Sequence, residues 1–180
     1  FKAVADSTSL PIMLYNVPSR TVTSLSAETT VRLAKIPNIV GVKEASGNLG
    51  EIARIIEETR HARPGFIVWS GNDSDTLPIM AMGGFGVVSV ASHLVGLQIK
   101  RMIESFAAGK ISEAAELHRH LTPIFNNLFV VANPIPVKYA LNYIGFRVGP
   151  LRLPLVEADE KTASVVRDTL KQYHIDLPLV

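Results

Sequence analysis

Four short apolar runs, each followed by a stretch with helical periodicity, constrain the fold of this chain more than any other feature. Residues 10–17 (LPIMLYNV), 39–43 (IVGVK), 66–70 (FIVWS) and 86–90 (GVVSV) have the near-continuous hydrophobicity of parallel strands covered on both faces. They recur at intervals of roughly twenty to thirty residues with one helix in each gap, the period of a βα unit. Ser26 is placed to cap the first of these helices, with Glu28 at the positive end of its dipole and Pro37-Asn38 stopping it after Lys35. Between residues 49 and 60, Ile52, Ile55, Ile56 and Thr59 share one helical face. Gly71-Asn72-Asp73 opens a short helix toward Met82, and a fourth helix spans 94–108 with Gly109 in the capping position. From Ile111 onward the strands stop. Helices are expected over 112–131 with a kink at Pro123, over 135–144 before Gly145, and over 157–174. An open doubly wound sheet would suit four strands, but the first strand is not followed by a glycine-rich dinucleotide fingerprint. Half of a (β/α)8 barrel with a C-terminal helical extension is the better account. Residues 1–6 read as the last turns of an amphipathic helix without its N-cap, so the chain is expected to be the C-terminal portion of a longer one.

Composition narrows the partners. Eighteen lysines and arginines against sixteen aspartates and glutamates give a net charge of +2 over 180 residues. No basic run of the kind that coats phosphate backbones is present, which argues against nucleic acid. Hydrophobic residues make up 47% and charged residues 19%, against roughly 25% charged in an average soluble domain, so global disorder is excluded. The absence of cysteine removes disulfides, thiolate metal sites and cysteine nucleophiles, and fits a cytoplasmic location. The segment between Asp75 and Lys100 carries no charge, yet Pro78, Gly83, Gly84, Gly86 and Gly96 break it into short elements instead of a membrane span. No signal-peptide pattern is present.

In a barrel the chemistry lies at the strand exits, here Tyr15, Lys43, Ser70-Gly71 and Ser89. Lys43 ends an otherwise apolar run, where an ammonium is costly unless paired or neutralised. Two readings stand at this point. Lys43 forms a structural ion pair, with Glu44 or a carboxylate outside this sequence, or burial lowers its pKa and yields an amine able to form an imine with a carbonyl. Tyr15 suits proton transfer in the same mouth, or simple packing. Arg20, past the Pro18 turn, suits a bidentate grip on a carboxylate, or a solvated loop. Gly83-Gly84-Phe85-Gly86 suits a phosphate nest or a tight entry to the last strand, and the lack of a basic partner nearby in sequence favours the turn.

Taken together, Tyr15-Asn16-Val17-Pro18-Ser19-Arg20-Thr21 and Gly41-Val42-Lys43-Glu44-Ala45-Ser46-Gly47 resemble the signature of the dihydrodipicolinate synthases, within the pyruvate-dependent class I aldolases. Asn133-Pro134-Ile135-Pro136-Val137-Lys138 resembles a further segment of the same enzymes. The resemblance implies a barrel half over residues 1–109 and a helical extension over 110–180. It implies condensation of pyruvate with aspartate semialdehyde on the route to diaminopimelate and lysine. Carried over, Lys43 would form the Schiff base and Tyr15 would relay protons. Arg20 would hold the aldehyde's carboxylate, while Gly71 and Val88 would line the pocket through their backbones. No metal or organic cofactor is implied. The implied partners are the two substrates, the N-terminal half of the barrel and further copies of the chain as a dimer of dimers. Sialic acid lyases share the tyrosine–lysine spacing but usually lack an arginine at the position of Arg20. A related pyruvate aldolase, a keto-deoxy sugar acid dehydratase and a non-catalytic half-barrel module remain the alternatives.

Overall fold

A computed structural model describes residues 1–176, and residues 177–180 of the expected extension lie outside the described residues. The chain forms two compact units, Phe1–Val88 and Ser89–Val180. In the first, α1 (Lys2–Asp6) precedes β1 (Ile12–Asn16), α2 (Pro18–Thr21), α3 (Ala27–Ala34), β2 (Ile39–Glu44), α4 (Leu49–Ala62) and β3 (Ile67–Ser70). A 3₁₀ turn (Asp73–Asp75), α5 (Thr76–Ala81) and β4 (Gly86–Val87) complete it. All strand pairings are parallel and the sheet order is β1-β2-β3-β4. This is the strand order expected of consecutive βα units in half of a (β/α)8 barrel.

The two faces of this sheet are unequal. Leu14, Val42 and Val68 project to the buried face, where they meet Ala27 of α3, Ile52 and Ile55 of α4 and Ile79 of α5. Each fully covered isoleucine or valine contributes about 1.5–3 kcal/mol relative to an exposed one. Residues of opposite parity, Met13, Tyr15, Lys43 and Trp69, occupy the other face and are only partly covered. Ser26 accepts from the backbone N–H of Thr29 and Asn48 from that of Glu51, so α3 and α4 both begin on side-chain caps.

Four local expectations need correction. The helix expected over 112–131 ends at Asn127. Arg20 is not in a loop but in the short helix α2, in whose first turn Pro18 has a fixed φ that is already helical and a missing N–H that costs nothing. β4 is two residues long, not five. Val88 still donates to Ser70 (2.9 Å), but Ser89 then turns the chain by accepting from the N–H of Ser92 at 2.8 Å. The last helix is shorter than 157–174 because Asp159 caps it, accepting from the N–H of Thr162 at 2.8 Å.

The second unit is helical: α6 (Ser92–Ala107), α7 (Ile111–Asn127), α8 (Ile135–Tyr143) and α9 (Glu160–Leu170). α6 packs on α7, and α9 on both α7 and α8. Buried Ile99, Met102, Leu121, Ile124, Val137 and Val166 fill this unit. No helix among the described residues is long and apolar enough to cross a membrane. The uncharged 76–99 stretch is divided among α5, β4 and α6.

Candidate active site

Strand register brings the two principal candidates together. Tyr15 pairs with Lys43, and Lys43 in turn with Trp69, in adjacent parallel strands. Side chains at matched positions stand side by side on one face. Lys43 Nζ lies over the Tyr15 ring, 4.2 Å from its centroid. The contact is amine to ring face, and no hydrogen bond joins the Tyr15 hydroxyl to the amine. Tyr15 is 49% exposed, so its hydroxyl is open to a ligand. Trp69, tilted by 59° against Phe85 at 4.5 Å between centroids, supplies an apolar wall on the same strand row.

Among the described residues the ion-pair reading of Lys43 finds no carboxylate, and Glu44 is not its partner. Glu44 is adjacent in a strand and therefore projects to the opposite face, where it is 1% exposed and bonded to Asn16 and to the N–H of Ser46. No carboxylate among the described residues pairs with Lys43, whereas Lys2, Lys100 and Lys171 are ion-paired on helix surfaces. Lys43 is half-buried, with the end of its side chain against an aromatic face.

Gly71 belongs to the same cluster for steric reasons. A Cβ built on it would lie 2.7 Å from Ala45 Cβ and 3.2 Å from Lys43 Cε, so the absent side chain keeps room for the lysine. Its N–H donates to Glu44 at 2.7 Å, and that of Val88 to Ser70 at 2.9 Å. Only the carbonyls of Gly71 and Val88 are therefore left to address a ligand. Arg20 lies exposed in the last turn of α2, four residues after β1 ends. The glycine cluster is a turn with its amides already used, since the N–H of Gly83 donates to Met80 (3.0 Å) and that of Gly84 to Ile79 (2.9 Å), against whose side chain a Cβ on Gly84 would press. No group of three histidine, aspartate or glutamate side chains among the described residues is placed to hold a metal ion.

Asn16 is an organising residue to which neither the strand pattern nor the family resemblance assigns a role. It is 2% exposed and bonds Glu44 across the strands. The signal was present as two polar residues, Asn16 and Glu44, each one position beyond a candidate catalytic residue in an apolar strand.

Consecutive parallel βα units with a lysine and a tyrosine side by side at adjacent strand exits define a barrel-type α/β scaffold. The chain matches the profile of the Dihydrodipicolinate synthetase family over residues 1–173, and it belongs to that family. It is 65% identical over 179 residues to a 4-hydroxy-tetrahydrodipicolinate synthase of Dehalococcoides mccartyi, a match covering 99% of this chain and 59% of the relative. A protein of the same name from Listeria welshimeri is 52% identical over 171 residues, covering 95% of this chain and 57% of the relative. Among solved structures, dihydrodipicolinate synthase from Thermotoga maritima superposes with a TM-score of 0.92 at 43% identity, covering 95% of this chain and 58% of its own. The enzyme from Cyanidioschyzon merolae with lysine bound gives 0.90 at 47% identity, covering 96% and 58%. The chain thus spans rather less than three fifths of the length of these relatives.

Proposed function

We propose that this chain carries the Schiff-base portion of a lyase that condenses pyruvate with L-aspartate 4-semialdehyde to 4-hydroxy-tetrahydrodipicolinate, in lysine and diaminopimelate biosynthesis. The observation that carries the reading is the unpaired amine of Lys43 set over the ring of Tyr15 at matched strand positions. The Lys43 amine adds to the C2 carbonyl of pyruvate and the carbinolamine loses water to give an imine. Loss of a methyl proton gives the enamine, whose carbon attacks the aldehyde carbon, the aldehyde oxygen taking up a proton. The amino group of the second substrate then displaces Lys43 as the ring closes, so one water is released overall. Tyr15 is suited to shuttle these protons, because its hydroxyl makes no hydrogen bond among the described residues. Arg20 would grip the carboxylate of the semialdehyde, and the carbonyls of Gly71 and Val88 would line the pocket. The electrophile needed is the lysine imine itself, so the reading calls for no metal or organic cofactor.

In the same reading, residues 1–109 form the barrel half bearing the site and residues 110–180 the helical extension. The remaining strands complete the barrel, and the enzyme works in the cytoplasm as a tetramer built from dimers. The test is borohydride reduction of the full-length enzyme in the presence of pyruvate. The peptide containing Lys43 should gain about 72 Da, the mass of a reduced pyruvyl imine, and Lys43→Arg should abolish the gain, because a guanidinium keeps its proton. A label on another lysine, or none, would overturn the mechanism. Turnover of a sialic acid or of a keto-deoxy sugar acid in preference to aspartate semialdehyde would overturn the substrate assignment.

A further inference from the structure

We infer that the buried Asn16–Glu44 pair is a positioning device that holds Tyr15, Lys43 and the segment carrying Arg20 in one arrangement, an inference that rests on the Schiff-base reading above. Asn16 and Glu44 occupy matched positions in β1 and β2, immediately after the matched pair Tyr15 and Lys43. Alternation in the strands puts Asn16 and Glu44 on the buried face, directly behind the two candidate catalytic groups.

The hydrogen bonds make this pair a junction. Asn16 Nδ2 sits 3.0 Å from each carboxyl oxygen of Glu44. Glu44 Oε1 also accepts from the N–H of Ser46 at 2.9 Å, which shapes the chain leaving β2. On the other side, Asn16 Oδ1 accepts from the N–H of Leu25 at 3.0 Å, while Nδ2 lies 3.3 Å from Ser24 Oγ and 3.4 Å from the Leu25 carbonyl. The stretch from β1 to Leu25, which contains Arg20, is therefore tied at both ends to Asn16. No cation among the described residues pairs with Glu44. A 1%-exposed carboxyl group without a cation is an expensive choice for simple packing, where an apolar side chain would serve. What it supplies is directional: two strand ends and one loop share a single set of acceptors.

Glu44→Gln tests this in the full-length enzyme. The substitution turns one acceptor into a donor opposite Asn16 Nδ2 or the Ser46 N–H, with almost no change in volume. The rate of imine formation with pyruvate and kcat should fall at least about tenfold at temperatures where circular dichroism shows the variant folded. The double variant Asn16→Asp/Glu44→Gln restores donor facing acceptor between the strands, with the Ser24 hydroxyl free to donate to the new carboxylate, and should recover part of the imine-formation rate and of kcat. Asn16→Ser provides the same readout if Glu44→Gln does not fold. A folded single variant with wild-type imine formation and kcat would overturn the inference, as would a double variant no faster than the single. Failure of the wild-type enzyme to form a Lys43 imine would instead overturn the Schiff-base reading itself, so the two failures are distinguishable.

Discussion

Tyr15 and Gly71 act on Lys43 in different ways, and their substitutions separate chemistry from space. Tyr15→Phe keeps the ring under the amine and removes only the hydroxyl, so the 4.2 Å contact survives. If Tyr15 moves protons, turnover should fall by roughly 10²–10⁴ with little change in melting temperature; a packing role predicts near-normal turnover. Gly71→Ala does the reverse. Its methyl would press on Ala45 Cβ and Lys43 Cε, and overpacking of this kind costs about 1–3 kcal/mol. Denaturant midpoints should report that loss, and the displaced lysine should form its pyruvate imine more slowly. Lys43 was legible in the sequence because a charged residue ending an apolar run stands out. Its freedom from Glu44 was equally available, since adjacent strand residues face opposite ways. The role of Gly71 was not available as a steric one, because it depends on which side chains β2 and the chain after β3 bring within reach.

The helices follow their caps, and one cap carries a pH dependence. Asp159 accepts from Thr162 at the start of α9, and the hydrogen bonds from Thr162 hold its carboxyl below the usual aspartate range. A carboxyl depressed in the folded state adds stability that is fully present above its unfolded pKa and is lost as pH falls through the folded value. Stability of the second unit should therefore decline on acidification from about pH 5 toward about pH 2, and Asp159→Asn should flatten that decline while keeping a capping oxygen. Urea midpoints measured across this range decide, and an unchanged slope in the variant would remove Asp159 from the account. The same cap explains why the periodicity of residues 157–174 overstated the helix: the apolar spacing continues past both ends, but the backbone donors of the first turn are satisfied only from Asp159 onward. β4 was overstated for a related reason. Apolar side chains run on to Val90, while the ladder partner ends at Ser70, so pairing beyond Val88 has no strand to pair with. Ser26 caps α3 and Ile52, Ile55 and Thr59 are buried on one face of α4 with Ile56 partly buried beside them, as expected from signals that are both local.

For the chain as a polypeptide, the sheet sets the behaviour. β1 and β4 each have one strand neighbour, and the face bearing Tyr15 and Lys43 leaves Met13 41% and Tyr15 49% exposed. Sheet edges with free backbone donors and acceptors are templates for association, and a partly open apolar face adds to the drive. The relatives it matches are longer by a margin that suits the remaining strands of a closed barrel, which would cover that face and pair those edges. Residues 1–180 expressed alone should therefore self-associate, bind an apolar dye and give no pyruvate adduct at Lys43, because the amine would lie in an open, hydrated sheet instead of a closed pocket. Co-expression with the N-terminal portion of a relative such as the Dehalococcoides mccartyi protein should reduce dye binding and restore the adduct, since strand pairing and the enclosed site return together. Light scattering and peptide mass measure the two effects on the same sample. A monodisperse monomer of residues 1–180 that melts cooperatively and labels Lys43 would show that four βα units and the helical unit suffice, and that the barrel is not needed to make the lysine reactive.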